Sequence, residues 1–269
     1  MAFMTCGGRV HHFRLRERAP VRAAPTPLYV FINALGTDHR IWDDLLDALP
    51  HDVPALVYDQ RGQGLTELGQ GAFDCSGASA DLNLLLGGLG AGAVVLCGLS
   101  LGGLVAMRFA LAYPERVRGL CLCATAPRIG TRELWDERMR LVRASGLAAL
   151  APSVLERWFS PEFSARRPEV VRGYRVLLER ASPAGYLAAV ELLRDTDSSA
   201  EVGAISVPTL VVGGECDVAT PPDQQRRLAQ SISGAELRVL PGAGHLLCIE
   251  QPEALARALV EFSRGKGIV

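Results

Sequence analysis

Lysine is nearly absent from this chain of 269 residues: 27 of its 28 basic side chains are arginine, and Lys266 is the exception. We read that skew as a codon-composition bias of the source genome. Against 29 acidic residues the basic ones leave a formal charge of −1. No one-signed field spans the molecule, so bulk electrostatics recruits neither nucleic acid nor an anionic membrane. Histidine is scarce too, with five residues, which leaves few candidates for acid–base chemistry near neutral pH. The seven cysteines are odd in number, and the first residues lack the basic head and long apolar run of a secretory signal. A reduced, cytoplasmic chain is expected, not a disulfide scaffold. No Cys/His group has zinc-site spacing, so no metal is expected. Internal repeats and low-complexity tracts are missing as well.

A stretch without charge imitates a membrane span. From Leu82 to Met107 no residue is charged, a stretch long enough to cross a bilayer. Seven glycines punctuate it, and no basic flank sets an orientation. A helix end, a loop, a buried strand, a tight turn and a new helix explain it better, and no membrane partner is expected.

Hydrophobic patterning supplies the rest. Residues 9–18 read as an edge strand and Ala19–Pro27 as a turn with an irregular strand. Leu28–Ile32 and Ala55–Tyr58 are apolar runs, as strands buried on both faces require, and Ala93–Cys97 and Val117–Cys123 read as a third and a fourth strand. Helical stripes fall between them at 38–49, 81–89 and 101–113. From 125 to about 200 the rhythm changes to helices alone. Trp135, Met139 and Val142 share one face there, and Ser182 with Pro183 reads as a helix start. Strands return at Thr209–Val212 and Leu237–Leu240, each followed by a helix, at 222–231 and 252–264. Alternation of this kind predicts an α/β fold with a mostly parallel twisted sheet and helices on both faces. Residues 1–125 and 201–269 form the expected core, and 126–200 an inserted helical cap.

Gly98-Leu99-Ser100-Leu101-Gly102 matches G-x-S-x-G directly after a strand and before a helix. That context makes Ser100 a candidate nucleophile on a sharp strand-to-helix turn. It needs a base. His11 and His12 on the edge strand and His51 in a loop read as solvated histidines. His39 starts a helix near the site but precedes Ser100 in the chain. His245, in the loop Pro241-Gly-Ala-Gly-His245 after the last strand, fits the order serine, acid, histidine. The acid should follow a strand between the two, which selects Asp217, with Glu215 as second choice. The stretch Cys123-Ala-Thr-Ala-Pro127 after the preceding strand holds no carboxylate. An oxyanion needs two donors, expected from the backbone N–H groups of Leu101 and of Leu35 after the first buried strand.

With these motifs in place the sequence resembles the α/β-hydrolase family over almost its whole length. Within it, the chain looks like the 3-oxoadipate enol-lactonases of aromatic-compound catabolism. The resemblance is carried by Asn33-Ala-Leu-Gly-Thr-Asp38 with Trp42, by Tyr58-Asp-Gln-Arg-Gly-Gln-Gly64 and by Gly98–Gly103. Arg157-Trp-Phe-Ser-Pro-Glu-Phe163, Leu193-Arg-Asp-Thr-Asp197 and Ala219-Thr-Pro-Pro222 add to it. Ala34 and Gln63 stand where that group is expected to have Ser and His. The resemblance implies a lactone or ester opened through an acyl-enzyme, with no cofactor and a small anionic lactone as the only partner. A carboxylesterase, a perhydrolase-like enzyme or a non-catalytic ligand receptor would use the same scaffold. A substrate carboxylate calls for a cation under the cap. Arg132, Arg138, Arg140 and Arg143 flank Trp135 on the first cap helix, and Arg138 with Trp135 are the candidate substrate contacts.

Overall fold

The computed structural model describes residues 2–16, 27–71 and 73–268. Eight strands form one sheet: β1 (Ala2–Cys6), β2 (Arg9–Arg16), β3 (Leu28–Ile32), β4 (Ala55–Tyr58), β5 (Val94–Leu99), β6 (Val117–Cys123), β7 (Thr209–Gly214) and β8 (Glu236–Leu240). Their order across the sheet is β1-β2-β4-β3-β5-β6-β7-β8. The first two strands pair antiparallel; all pairings from β4 to β8 are parallel. The helices are α1 (Asp43–Ala48), α2 (Cys75–Gly88), α3 (Leu101–Ala112), α4 (Arg132–Trp158), α5 (Pro161–Arg166), α6 (Pro168–Glu179), α7 (Pro183–Asp195), α8 (Pro222–Ser231), α9 (Leu247–Glu250) and α10 (Pro252–Gly265).

The uncharged stretch from 82 resolves into the end of α2, strand β5 and helix α3, and no helix among the described residues is long and apolar enough to cross a membrane. Strands β3, β4, β5 and β7 are buried along their whole length, as their unbroken apolar runs require. Helix α2 begins at Cys75, six residues before the expected stripe. Its first turns are small residues with no apolar stripe, but the Asp74 side chain accepts from the Gly77 amide and fixes the start.

The strand at 9–16 is not the edge of the sheet. β1, whose alternating short sequence gave no strand signal, pairs outside it with Phe3 opposite His12. His11 and His12, expected in solvent, are therefore buried, at 1% and 2% exposure. His51 is exposed, as expected. All but the last residue of the turn expected at Ala19–Pro27 lies outside the described residues.

Chain order places the site. β3 leads to β4 on one side of the sheet, and β5 then returns to the other side of β3. The crevice at that reversal lies beyond the carboxyl ends of β3 and β5, where parallel sheets bind ligands. The four helices α4–α7 all leave the sheet after β6, between the strand that ends at Ser100 and the strand that leads to Asp217. They stand over that crevice. Helix α4 bends at Gly146, whose φ of 74° lets the chain turn where a side chain would be strained. Ser160 and Ser182 cap α5 and α7, each with a proline in the first turn.

Candidate active site

Ser100 sits between β5 and α3 with φ 56° and ψ −116°, a conformation that serine rarely adopts. Its neighbours explain why it is held there. A Cβ on Gly98 would lie 2.2 Å from the Gly102 carbonyl oxygen, and one on Gly102 would lie 2.1 Å from that of Ile32. Helix α3 therefore packs on the strands at a distance only glycine permits. The Ser100 amide donates to the Cys123 carbonyl at 2.9 Å, and the Thr125 hydroxyl donates to the Ser100 carbonyl at 2.8 Å. Both bonds tie the turn to β6. Strain over-determined by surrounding contacts in this way is characteristic of functional turns.

Asp217 and His245 come from the loops after β7 and β8, which pair up to Gly214 and Leu240. The loops are stitched together where Cys216 N–H donates to the Ala243 carbonyl at 2.8 Å. Asp217 Oδ2 lies 2.9 Å from His245 Nδ1. The same carboxylate accepts from the Ala219 and Thr220 amides at 2.8 and 2.9 Å and from the Thr220 hydroxyl at 2.7 Å. Burial works to raise its pKa, but the imidazole of His245 and the Thr220 donors outweigh it and hold the carboxyl below the usual range. Asp217 is therefore an anion at neutral pH and fixes the proton of His245 on Nδ1. Glu215 does not reach the histidine; it accepts from the Gly242 amide at 2.9 Å on the surface.

Ser100 and His245 line one small cavity together with Ala34, Leu35, Trp135, Arg138, Arg157 and Tyr186, among others. It holds about 40 Å³, against roughly 300–1,000 Å³ for ordinary small-molecule sites. Leu101 opens α3, so its N–H has no helical acceptor behind it. Leu35 lies in the turn after β3, where the Asn33 side chain donates from Nδ2 to the Thr37 carbonyl at 2.9 Å and the Gln60 side chain donates to the Asn33 backbone carbonyl at 2.6 Å. Gln63, a departure from the resembled pattern, is buried beside Asn33 and braces that turn.

The four arginines on the first cap helix separate. Arg132 pairs with Asp195 at 2.7 Å, Arg143 reaches Glu191 at 3.5 Å, and Arg140 is exposed. Only Arg138 lines the serine cavity, with its guanidinium 4.9 Å from the Trp135 ring. Trp135 is both core and wall: its Nε1 donates to the Ile129 carbonyl at 2.6 Å while one side faces the cavity. Arg157 joins Arg138 there, a role its place in the sequence did not signal. Burial, reinforced by Arg138, pushes the Arg157 guanidinium below its ordinary value. No carboxylate pairs with Arg138 or Arg157 among the described residues.

Glu250 was also not legible. It accepts from the Ser160 amide at 2.9 Å and from its hydroxyl at 2.6 Å. The amides of His245 and Leu246 both donate to the Trp158 carbonyl, at 3.1 and 3.0 Å. The junction of α4 and α5 is thus fastened to the histidine loop from two sides.

A larger cleft of about 890 Å³ lies beside this cavity, between α6 and the loops after β3 and β4. It contains no counterpart of Ser100 at a strained turn, so the smaller cavity is the candidate active site. His39 lines the cleft rather than the serine cavity. With His12 it flanks Asp59, at 2.9 and 2.6 Å. Cys97, Cys121 and Cys123 also gather, within the sheet, with sulfur separations of 3.8 and 3.6 Å to Cys123. Burial pushes the Cys97 thiol well up. Each trio brings three donor atoms within 4.8 Å, a proximity no linear spacing reveals. Asp59 already accepts from both histidines and from the amides of His39 and Leu65, which accounts for that trio without an ion.

Known proteins share this sequence pattern and fold. The chain is 32% identical over 236 residues to 3-oxoadipate enol-lactonase 2 of Acinetobacter baylyi, covering 88% of each chain. Among solved structures, the enol-lactonase from Burkholderia xenovorans LB400 superposes with a TM-score of 0.92 at 33% identity, covering 98% of this chain and 100% of that one. A thermophilic esterase from Thermogutta terrifontis, solved with malate bound, gives a TM-score of 0.88 at 30% identity, covering 98% of both chains. The model of the alpha/beta hydrolase family matches residues 29–258, and with that match the chain belongs to the alpha/beta hydrolase family and is a hydrolase.

Proposed function

We propose that the chain is a serine hydrolase of small anionic lactones or esters, with 3-oxoadipate enol-lactone as its substrate. The observation that carries this reading is the pair of arginines, Arg138 and Arg157, unneutralised in the cavity that holds Ser100 and His245. Two half-buried guanidinium groups without an ion-pair partner leave donors free for an anion that enters the cavity. A substrate carboxylate supplies that anion. In this reading 1–125 and 201–269 form the hydrolase core and carry the chemistry, while 126–200 is a cap that carries recognition.

The chemistry runs through an acyl-enzyme. His245 Nε2 takes the proton of Ser100 as Oγ attacks the lactone carbonyl. The tetrahedral oxyanion accepts from the Leu35 and Leu101 amides. The ring C–O bond then breaks, and the departing enol oxygen takes the proton from His245. The released enol tautomerises to the ketone within the same chain. A water deprotonated by His245 attacks the acyl carbon, Ser100 leaves with that proton, and the dicarboxylate is freed. Asp217 holds the imidazole tautomer throughout. The names of the curated relative and of the Burkholderia structure support the lactone, and the paired arginines support its charge.

Ala34 and Gln63 favour a second reading, an esterase for another anionic acyl group, because both stand at the turn that carries Leu35. The deciding experiment compares kcat/KM for the enol-lactone with that for mono-p-nitrophenyl succinate and p-nitrophenyl butyrate. The lactone should lead by at least about tenfold. A lead for the succinate ester would select the esterase, and a lead for the butyrate ester would overturn the anionic substrate.

A further inference from the structure

Tyr186 is the one described residue that lines both the serine cavity and the large cleft. It enters on the first turn of α7, which is pressed against the core: a Cβ on Gly185 would lie 1.8 Å from the Gly62 carbonyl oxygen. Its ring lies over the turn that carries Leu35, so that a Cβ on Gly36 would meet it at 3.0 Å. The side chain is 2% exposed, and its hydroxyl is fully buried without a hydrogen-bond partner.

An unpartnered buried hydroxyl is a standing cost to the fold, because water would have satisfied it. The nearest charged group is informative. Burial pushes the phenol up, and the Arg138 guanidinium opposes that by its charge and as a donor toward the phenol oxygen, although the two stand outside ordinary hydrogen-bond geometry. Arg138 can donate to the phenol oxygen but offers no acceptor, so the phenol O–H proton finds no partner in it. They lack a shared acceptor. A carboxylate oxygen between them would accept from the phenol and the guanidinium together, with Arg157 closing the same cavity from α4.

We propose that Tyr186 is a specificity-determining residue whose hydroxyl, together with Arg138, receives the carboxylate of the substrate. This deepens the reading of an anionic substrate and rests on it. A site that leaves a donor unpaired when empty discriminates strongly for ligands that supply the acceptor. The phenol therefore adds a directional demand that two flexible arginines alone do not make. A neutral ester fills the same space and leaves the hydroxyl unpaired.

Tyr186→Phe tests this, because it keeps the ring over Gly36 and removes only the oxygen. Adipate, a dicarboxylate without a scissile bond, is the binding probe, titrated by calorimetry into Ser100→Ala and Ser100→Ala/Tyr186→Phe proteins. Binding should weaken about tenfold in the double variant. In proteins with Ser100 intact, KM for mono-p-nitrophenyl succinate should rise by a similar factor with kcat within about threefold, while kcat/KM for p-nitrophenyl butyrate falls by less than about threefold. Melting temperature should be equal or higher, since a merely structural hydroxyl would lower it on removal. Equal adipate affinity in the two proteins, or no adipate binding at millimolar concentration, overturns the assignment. Tyr186-dependent adipate binding without turnover of either ester would leave the assignment standing and sink the hydrolase reading above, so the two fail separately.

Discussion

Two buried aspartates of this molecule hold histidine nitrogens, Asp217 one and Asp59 two, and one pair at each site has the same spacing. His245 presents Nδ1 to Asp217 at 2.9 Å, and His39 presents Nδ1 to Asp59 at 2.9 Å. All four side chains are buried. Burial raises both carboxyls and their donors lower them further, so both stay below the usual range. What differs is company. Asp217 takes its remaining donors from its own loop, and His245 lines the same cavity as Ser100. Asp59 spends its second oxygen on His12 and the Leu65 amide, and its first on the His39 amide. The nearest serine of that cleft, Ser182, is committed to capping α7 through the Gly185 amide. A buried dyad is thus a fastening in one place and the proposed base in the other. The strained serine and the amides around it make the distinction.

The sharpest break between the two regions is Ser100→Ala. Turnover of p-nitrophenyl butyrate should fall by roughly 10⁴-fold or more with the fold intact, since only binding and oxyanion stabilisation remain. Activity within tenfold of the parent would move the nucleophile elsewhere.

Next in size, Asp217→Asn should cost about 10⁴ in kcat by favouring the wrong imidazole tautomer. Asp59→Asn at the other pair should leave kcat/KM within about tenfold. Equal losses at the two sites would mean that the pairs are not distinguished by role.

Stability should divide them the other way. Asp59→Asn leaves donors of four groups facing an amide, at a cost of about 2–3 kcal/mol, or roughly 4–12 °C in Tm. The pH dependence follows from the direction of the shift. A carboxyl held below its ordinary value adds stability that is fully present above about pH 4 and is lost as pH falls through the depressed folded value. Scanning calorimetry from pH 7 to 3 should show Tm dropping at the acid end, with a shallower drop in Asp59→Asn. Glu250 acts with the opposite sign, because burial raises its carboxyl. An unaltered acid limb in Asp59→Asn would show that His12 and His39 do not hold the charge.

The smallest effect is expected from Glu215→Gln, which retains an acceptor for the Gly242 amide at the surface. Its kcat should stay within about twofold, and a loss near that of Asp217→Asn would transfer the acid to Glu215.

Much of the fold was legible because buried parallel strands announce themselves. β3, β4 and β7 read as unbroken apolar runs, and α8 was bounded by its proline and serine. β1 was missed because an edge strand with one wet face and five residues carries little pattern, and with it went the burial of His11 and His12. The candidate triad positions were legible because each follows a strand in a fixed order. Arg157, Tyr186 and Glu250 were not, because cavity walls on helices have no such order. Their place depends on how α4 and α7 settle over the sheet, a matter of tertiary packing that amphipathic period alone cannot encode.

The position of β8 has a consequence for how the molecule fails under heat or denaturant. β8 is the last strand of the sheet, paired on one side only, and the loop that carries His245 hangs from its end. Edge elements open before the interior does, since fewer bonds hold them. Peeling β8 and α10 away would withdraw the base while β3, β5 and Ser100 remained in place. Inactivation should therefore precede the loss of far-ultraviolet ellipticity during mild urea treatment, and proteases should first cut near the carboxyl terminus of a protein that still looks folded.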